Sequence, residues 1–211
     1  MWDAQDQYWK GFEWTKNLPA GTGQPTRQSQ SAVNYAQSNT DPRFYNESYP
    51  GYGISNPATH TSFKDLPNAN ELSWYVMYGD PRWDFDELWT TMGHLHKGGV
   101  WFKKKSVLQA EHHYDTEKSA DGTTDLRTTD KDYSNTGSPY PLSAADRGNY
   151  FLLPPLGYYS SGQLIGDGLG LYWSSSANPR SSSEAYYLLI YHDISVVKGQ
   201  RDEGYRVGGF E

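Results

Sequence analysis

With 211 residues, no cysteine and a formal net charge of −7, the chain can bury a sizeable core, but it excludes disulfides, cysteine-ligated zinc, iron–sulfur centres and thiol catalysis. The acidic balance argues against a nucleic-acid partner, which calls for a basic stripe. Eighteen tyrosines and eight tryptophans predict a core that leans on aromatic rings, a composition that also suits a recognition surface.

Residues 1–65 are polar and rich in Gly, Pro, Gln, Asn and Ser, yet carry many rings, among them Trp2, Tyr8, Trp9, Trp14 and Tyr35. They read as ordered irregular structure wrapped on the domain, with a short helix around Ser29–Gln37. The start Met1-Trp2-Asp3 is not a signal peptide, so an export signal would belong to a longer precursor. No apolar run reaches transmembrane length. Asn68 followed by Glu71 is a capping-box start for a helix with Leu72, Tyr75 and Val76 on one face, stopped at Gly79 before Pro81. A second helix is predicted from Asp84 or Asp86 to Met92, with acidic residues in its first turn. "GGVWFKK" then reads as a short strand, and Lys103–Lys105 as its solvated end.

Residues 106–149 are charged and turn-rich, an insertion over the surface. From Tyr150 the pattern turns β: "YFLLP", "LGYYSS", "GLYWSSS", "EAYYLLIYHD", "ISVVK" and "YRVGGF", separated by turn residues. Two helices followed by antiparallel strands predict one α+β domain over 1–211: wrap, helices and insertion (66–149), then a β-rich part (150–211).

Candidate chemistry is thin. His94-x-His96, expected in a turn, and His112-His113 lack a third ligand placed by spacing. Asp80, Asp84 and Asp86 lack the glycine and terminal glutamate of a calcium loop. "GDGLG" at Gly166–Gly170 precedes a strand rather than a helix and reads as a turn, not a phosphate loop. Ser174–Ser176 lacks a nucleophile elbow and reads as small residues that let a strand pack closely. No catalytic site, metal site or cofactor is predicted.

Taken together, "LPNANELSWYV", "GGVWFKK", "YFLLPPLGYYSSGQL", "LYWSSSA", "AYYLLIY" and the R-x-x-G-Y-R-V ending resemble the C-type-lectin-like domains of exported bacterial surface and fimbrial proteins. The resemblance covers about Leu66–Glu211 and implies a small antiparallel sheet with long irregular loops, a place outside the cell or on its surface, and a pilus tip or phage virion as settings. The fold is shared with formylglycine-generating enzymes, but that oxidase chemistry depends on cysteines, absent here, so a non-enzymatic role is expected. The calcium-dependent sugar motifs of lectins are absent too; "ANPR" at Ala177–Arg180 is a poor substitute. The ending is also similar to the variable proteins of diversity-generating retroelements, which display varied residues on a fixed scaffold.

That likeness implies a variable segment over 172–206 and makes even positions in "AYYLLIYH" scaffold and odd ones free. Tyr186, Leu188 and Ile190 share one strand face; Tyr187, Leu189 and Tyr191 share the other. The expected contact residues are Arg180, Ser181, Ser183, Glu184, Tyr187, Leu189, Tyr191, His192, Asp193, Asp202 and Glu203, with Ser195 and Gln200 exposed beside them. The scaffold is Trp173, Ser174–Ser176, Tyr186, Leu188, Ile190, Arg201, Gly204, Tyr205 and Val207. A strand buried on both faces, under residues 1–65 or 106–149, is the competing reading. The expected partner is a protein or glycan ligand on another cell or surface, bound with no cofactor, and oligomers are compatible with that role. If Tyr187 and Tyr191 are free contacts, replacing both by alanine abolishes binding and hardly changes thermal stability. The alternatives are a pilus or virion assembly subunit and, less favoured, an enzyme of the formylglycine-generating type.

Overall fold

In a computed structural model of the chain, which describes residues 1–7, 10, 36, 40–43, 57–91, 94–160, 163–165 and 168–211, a single turn α1 (Thr61–Lys64) leads into α2 (Ala69–Tyr78). The capping box of α2 is complete. The Glu71 amide donates to the Asn68 side chain at 2.9 Å, and the Asn68 amide donates to Glu71 Oε2 at 2.8 Å. A third orphan donor, the Ala69 amide, is met by Ser176 Oγ at 3.0 Å. Gly79 ends the helix, as predicted. Every residue from Ala69 to Val76 is buried, so the helix is wrapped on more than the single face its periodicity predicts. The expected helix at Ser29–Gln37 lies outside the described residues.

The predicted second helix is instead β1 (Arg82–Thr91), which pairs antiparallel with β2 (His94–Lys103). The Asp84 carboxylate accepts from the Asp86 and Glu87 amides at 3.1 and 3.0 Å. This satisfies backbone donors as a helix cap would, but it does so across a register shift between Asp84 and Leu88, and the chain resumes as a strand. His94 and His96, expected in a turn, therefore sit in β2. Lys103 closes that strand, and Lys105 opens a short α3 (Lys105–Ala110).

The 106–149 segment is more than a surface insertion. Leu108, Ala120, Leu126 and Tyr133 enter the main core. Side chains of α2 hold it there: Trp74 Nε1 donates to the Lys118 carbonyl at 2.7 Å, and the Ala120 amide donates to Ser73 Oγ at 2.8 Å. It also contributes β3 (Tyr133–Asn135).

The β-rich remainder holds β4 (Tyr150–Leu153), β5 (Tyr158–Ser160), β6 (Gln163–Ile165), β7 (Gly170–Ala177), β8 (Glu184–Ile190) and β9 (Ile194–Gln200). They form small antiparallel sheets ordered β1-β2-β4, β3-β9-β8-β7 and β5-β6. The fold is thus mixed α and β, and mostly β. "YRVGGF" is not a strand. Tyr159 and Tyr172 bridge only to Gly204 and Arg206, and Gly208 and Gly209 take positive φ of 83° and 95°. That turn sends Phe210 back against Tyr75, Phe151 and Tyr172.

The four-stranded sheet separates two cores. On its even face Tyr172, Tyr186, Leu188, Ile190, Ile194 and Val196 pack with α2, β2 and β4. On its odd face Leu171, Trp173 and Ala185 pack with Trp2, Ala58, Phe63 and Tyr205. Ser174–Ser176 is where the two sides meet: the Ser174 carbonyl accepts from Trp2 Nε1 at 2.9 Å, and the Ser175 carbonyl accepts from the Ala58 amide at 2.8 Å. Larger side chains would hold these backbones apart.

Candidate functional site

The scaffold residues lie where expected. Tyr186, Leu188, Ile190, Trp173 and Arg201 are fully buried, and Tyr205 nearly so. The contact residues do not form one patch. Arg180 to Glu184, with Asp202 and Glu203, lie at one end of β8; Tyr191, His192 and Asp193 turn the other end into β9. Six strand rises separate those ends, ~20 Å.

At the first end the loop is tied to itself. Asn178 Oδ1 accepts from the Arg180 amide at 2.9 Å, Ser181 and Ser183 hydroxyls meet at 3.1 Å, and Glu184 accepts from Asn178 Nδ2 at 2.7 Å. Arg180 and Asp202 are exposed. At the far end Asp193 accepts from Ser134 Oγ at 2.6 Å and Ser195 Oγ at 3.0 Å. The Ser134 bond holds its carboxyl below the usual range. Ser195, expected to be exposed, is buried in this triad. Tyr191, 47% exposed, leans on the exposed His192.

Tyr187 and Leu189 are not free. Both are half-buried and pack on the odd-face core. Neither the exposed nor the fully buried reading of this face holds throughout: it is covered at Trp173 and half-buried at its middle, where Tyr187 pairs with Val197.

There a group of rings gathers that the sequence left apart. Tyr205 stacks on Trp173 at 4.1 Å; Tyr187 tilts against Tyr205 at 4.7 Å, and Tyr158 meets it edge-on at 5.5 Å. The Tyr205 hydroxyl donates to the Glu203 carboxylate. Tyr158 is brought in by backbone bonds between Tyr159 and Gly204, a pairing with no local signal. Gly199 makes the room: a Cβ there would stand 2.6 Å from the Tyr205 hydroxyl and 2.8 Å from a Tyr187 ring carbon. Burial, then the Glu203 charge, pushes the Tyr187 phenol up to about 12 and raises Tyr158 as well. Burial also raises the Glu203 carboxyl against the pull of the Tyr205 bond.

Of the histidines weighed as metal ligands, two are ring partners: His113 stacks on Tyr78 at 4.2 Å and His96 on Trp89 at 4.6 Å. The Tyr78–His113 pair borders a groove of about 360 Å³. Its charged lining is already paired, Lys103 with Glu111 and Asp80 with Arg82. Among the described residues no group of three or more His, Asp or Glu is placed to hold a metal ion, and no helix is long and apolar enough to cross a membrane.

No protein-family model, curated protein or solved structure matches this chain.

Proposed function

We propose that this chain is a non-enzymatic, C-type-lectin-like recognition domain that binds a protein ligand at a cell surface through the odd face of its C-terminal sheet. The observation that carries this reading is an aromatic group in which the half-buried Tyr158 and Tyr187 meet the buried Tyr205, itself stacked on the fully buried Trp173. Rigid amphipathic rings on a fixed scaffold supply contact area at little entropic cost. Small antiparallel sheets beside one main helix, joined by irregular connections, support the C-type-lectin-like part. Diversification of the segment belongs to the same proposal; a near-identical repeat beside a reverse-transcriptase gene in the encoding DNA would establish it.

Fluorescently labelled protein is expected to stain a subset of bacterial or host cells, and protease treatment of those cells should remove the staining. Val197→Asp, in the middle of the face, should cut staining at least tenfold without moving the Tm by more than a few degrees. Tyr187→Ala should lose binding too, but at a stability cost of about 2 kcal/mol, because the ring is half-buried. Staining that survives both substitutions would refute the reading.

A second reading, an assembly subunit, is favoured by the β1–β2 ribbon. Beyond its root it has no third strand among the described residues, and Phe85, Leu88 and Leu95 are 66%, 61% and 69% exposed. Leu88 and Leu95 are diagonal neighbours on one ribbon face. Such a ribbon is poorly stable alone and invites pairing. Light scattering should then show an oligomer that Leu88→Glu with Leu95→Glu reduces to monomer; a monomeric parent protein removes this reading.

A further inference from the structure

We propose that the recognition face takes the side-chain cation of an arginine or lysine on the partner, seated against the Tyr158 and Tyr187 rings and paired with the Glu203 carboxylate. This rests on the odd face being the binding face, and it names the chemistry read there. The carboxylate is positioned before any ligand arrives: Tyr205 donates to it, and Tyr205 is itself clamped flat on the buried Trp173 at 4.1 Å. Tyr158 and Tyr187 flank Tyr205 and are half-buried. Ring faces carry negative charge density that attracts a cation, and a half-buried carboxylate adds a charge-assisted hydrogen bond.

The charges nearby leave this carboxylate without a countercharge among the described residues. The Arg201 guanidinium lies over Trp2 at 4.4 Å and donates to the Glu184 carbonyl. Lys198 is held by Asp130 and Asp132 on the opposite sheet face, over Tyr186. Asp202 adds negative charge beside Glu203. Glu203 already accepts from the Tyr205 and Ser160 side chains, both neutral donors, so an anionic ligand would be repelled here and a purely apolar one would bury the carboxylate further without a countercharge.

The direct test is a nuclear magnetic resonance titration of the full chain with N-acetyl-arginine amide, and with the citrulline equivalent of the same shape and no charge. Saturable shifts at Tyr158, Tyr187 and Glu203 are expected with the arginine compound and not with citrulline. Glu203→Gln keeps an acceptor for Tyr205, so the fold should hold while affinity falls at least tenfold. No saturable shift, or equal shifts from the two compounds, overturns the proposal. Cell staining separates its failure from that of the binding face. Staining lost in Val197→Asp but unchanged in Glu203→Gln sinks the cation site and leaves the face; staining unchanged in both sinks the face as well.

Discussion

Replacing Trp2 by alanine is expected to lower unfolding stability by about 4 kcal/mol, the cost of deleting a fully buried large ring. The side chain is 1% exposed and sits in the odd-face core with Phe63, Leu171, Trp173 and Tyr205. Its ring nitrogen donates to the Ser174 carbonyl at 2.9 Å, and its face carries the Arg201 guanidinium at 4.4 Å. Removing it therefore deletes apolar contacts, orphans a buried carbonyl and takes away the cation–π partner of a buried arginine. Trp2→Phe keeps most of the ring area and loses the nitrogen, so about 1–2 kcal/mol is expected. Urea unfolding followed by tryptophan fluorescence reads both. If Trp2→Ala costs no more than an exposed surface change, the second core is not a cooperative part of the fold, and the proposed recognition face has no rigid base.

How far the sequence discloses this arrangement depends on how local each cause is. The capping box at Asn68 and Glu71 involves residues three apart, so it is readable and is found intact. Alternation in β8 is equally local, and Tyr186, Leu188 and Ile190 do point into the main core. The β1 segment misleads for a specific reason: Asp84 satisfies the Asp86 and Glu87 amides as an N-cap does, while the strand pairing that decides the matter comes from β2. What covers the odd face is set by Trp2, more than 170 positions from Trp173, and local periodicity has no access to that. The same holds for Tyr158 and Tyr205, drawn to Tyr187 by a bridge between Tyr159 and Gly204. Of the expected contact residues, only Tyr187 and Glu203 meet in this ring group.

Asn70→Ala is expected to cost about 3 kcal/mol and to release the 115–131 segment from α2. Asn70 is fully buried. Its carbonyl oxygen accepts from the Leu126 amide at 2.8 Å, and its amide donates to Asp125 Oδ1 at 3.0 Å. The substitution leaves the Leu126 amide buried without its partner, and hydrogen exchange at that amide should accelerate more than at amides within α2. It should also alter acid stability. Burial opposes ionisation of Asp125, but bonds from Arg127 and Asn70 outweigh it and hold its pKa at about 2. A carboxyl depressed on folding stabilises the native state above its ordinary pKa of about 4, and that contribution disappears as pH falls through about 2. For Asp125 the contribution is roughly 2 kcal/mol. With Asn70 gone, one of its donors is lost and the native pKa rises, so the variant should show a shallower loss of stability between pH 4 and 2 than the parent. Denaturation across that range compares the two directly. Parallel curves would mean that Arg127 alone sets the Asp125 charge and that Asn70 acts only through Leu126.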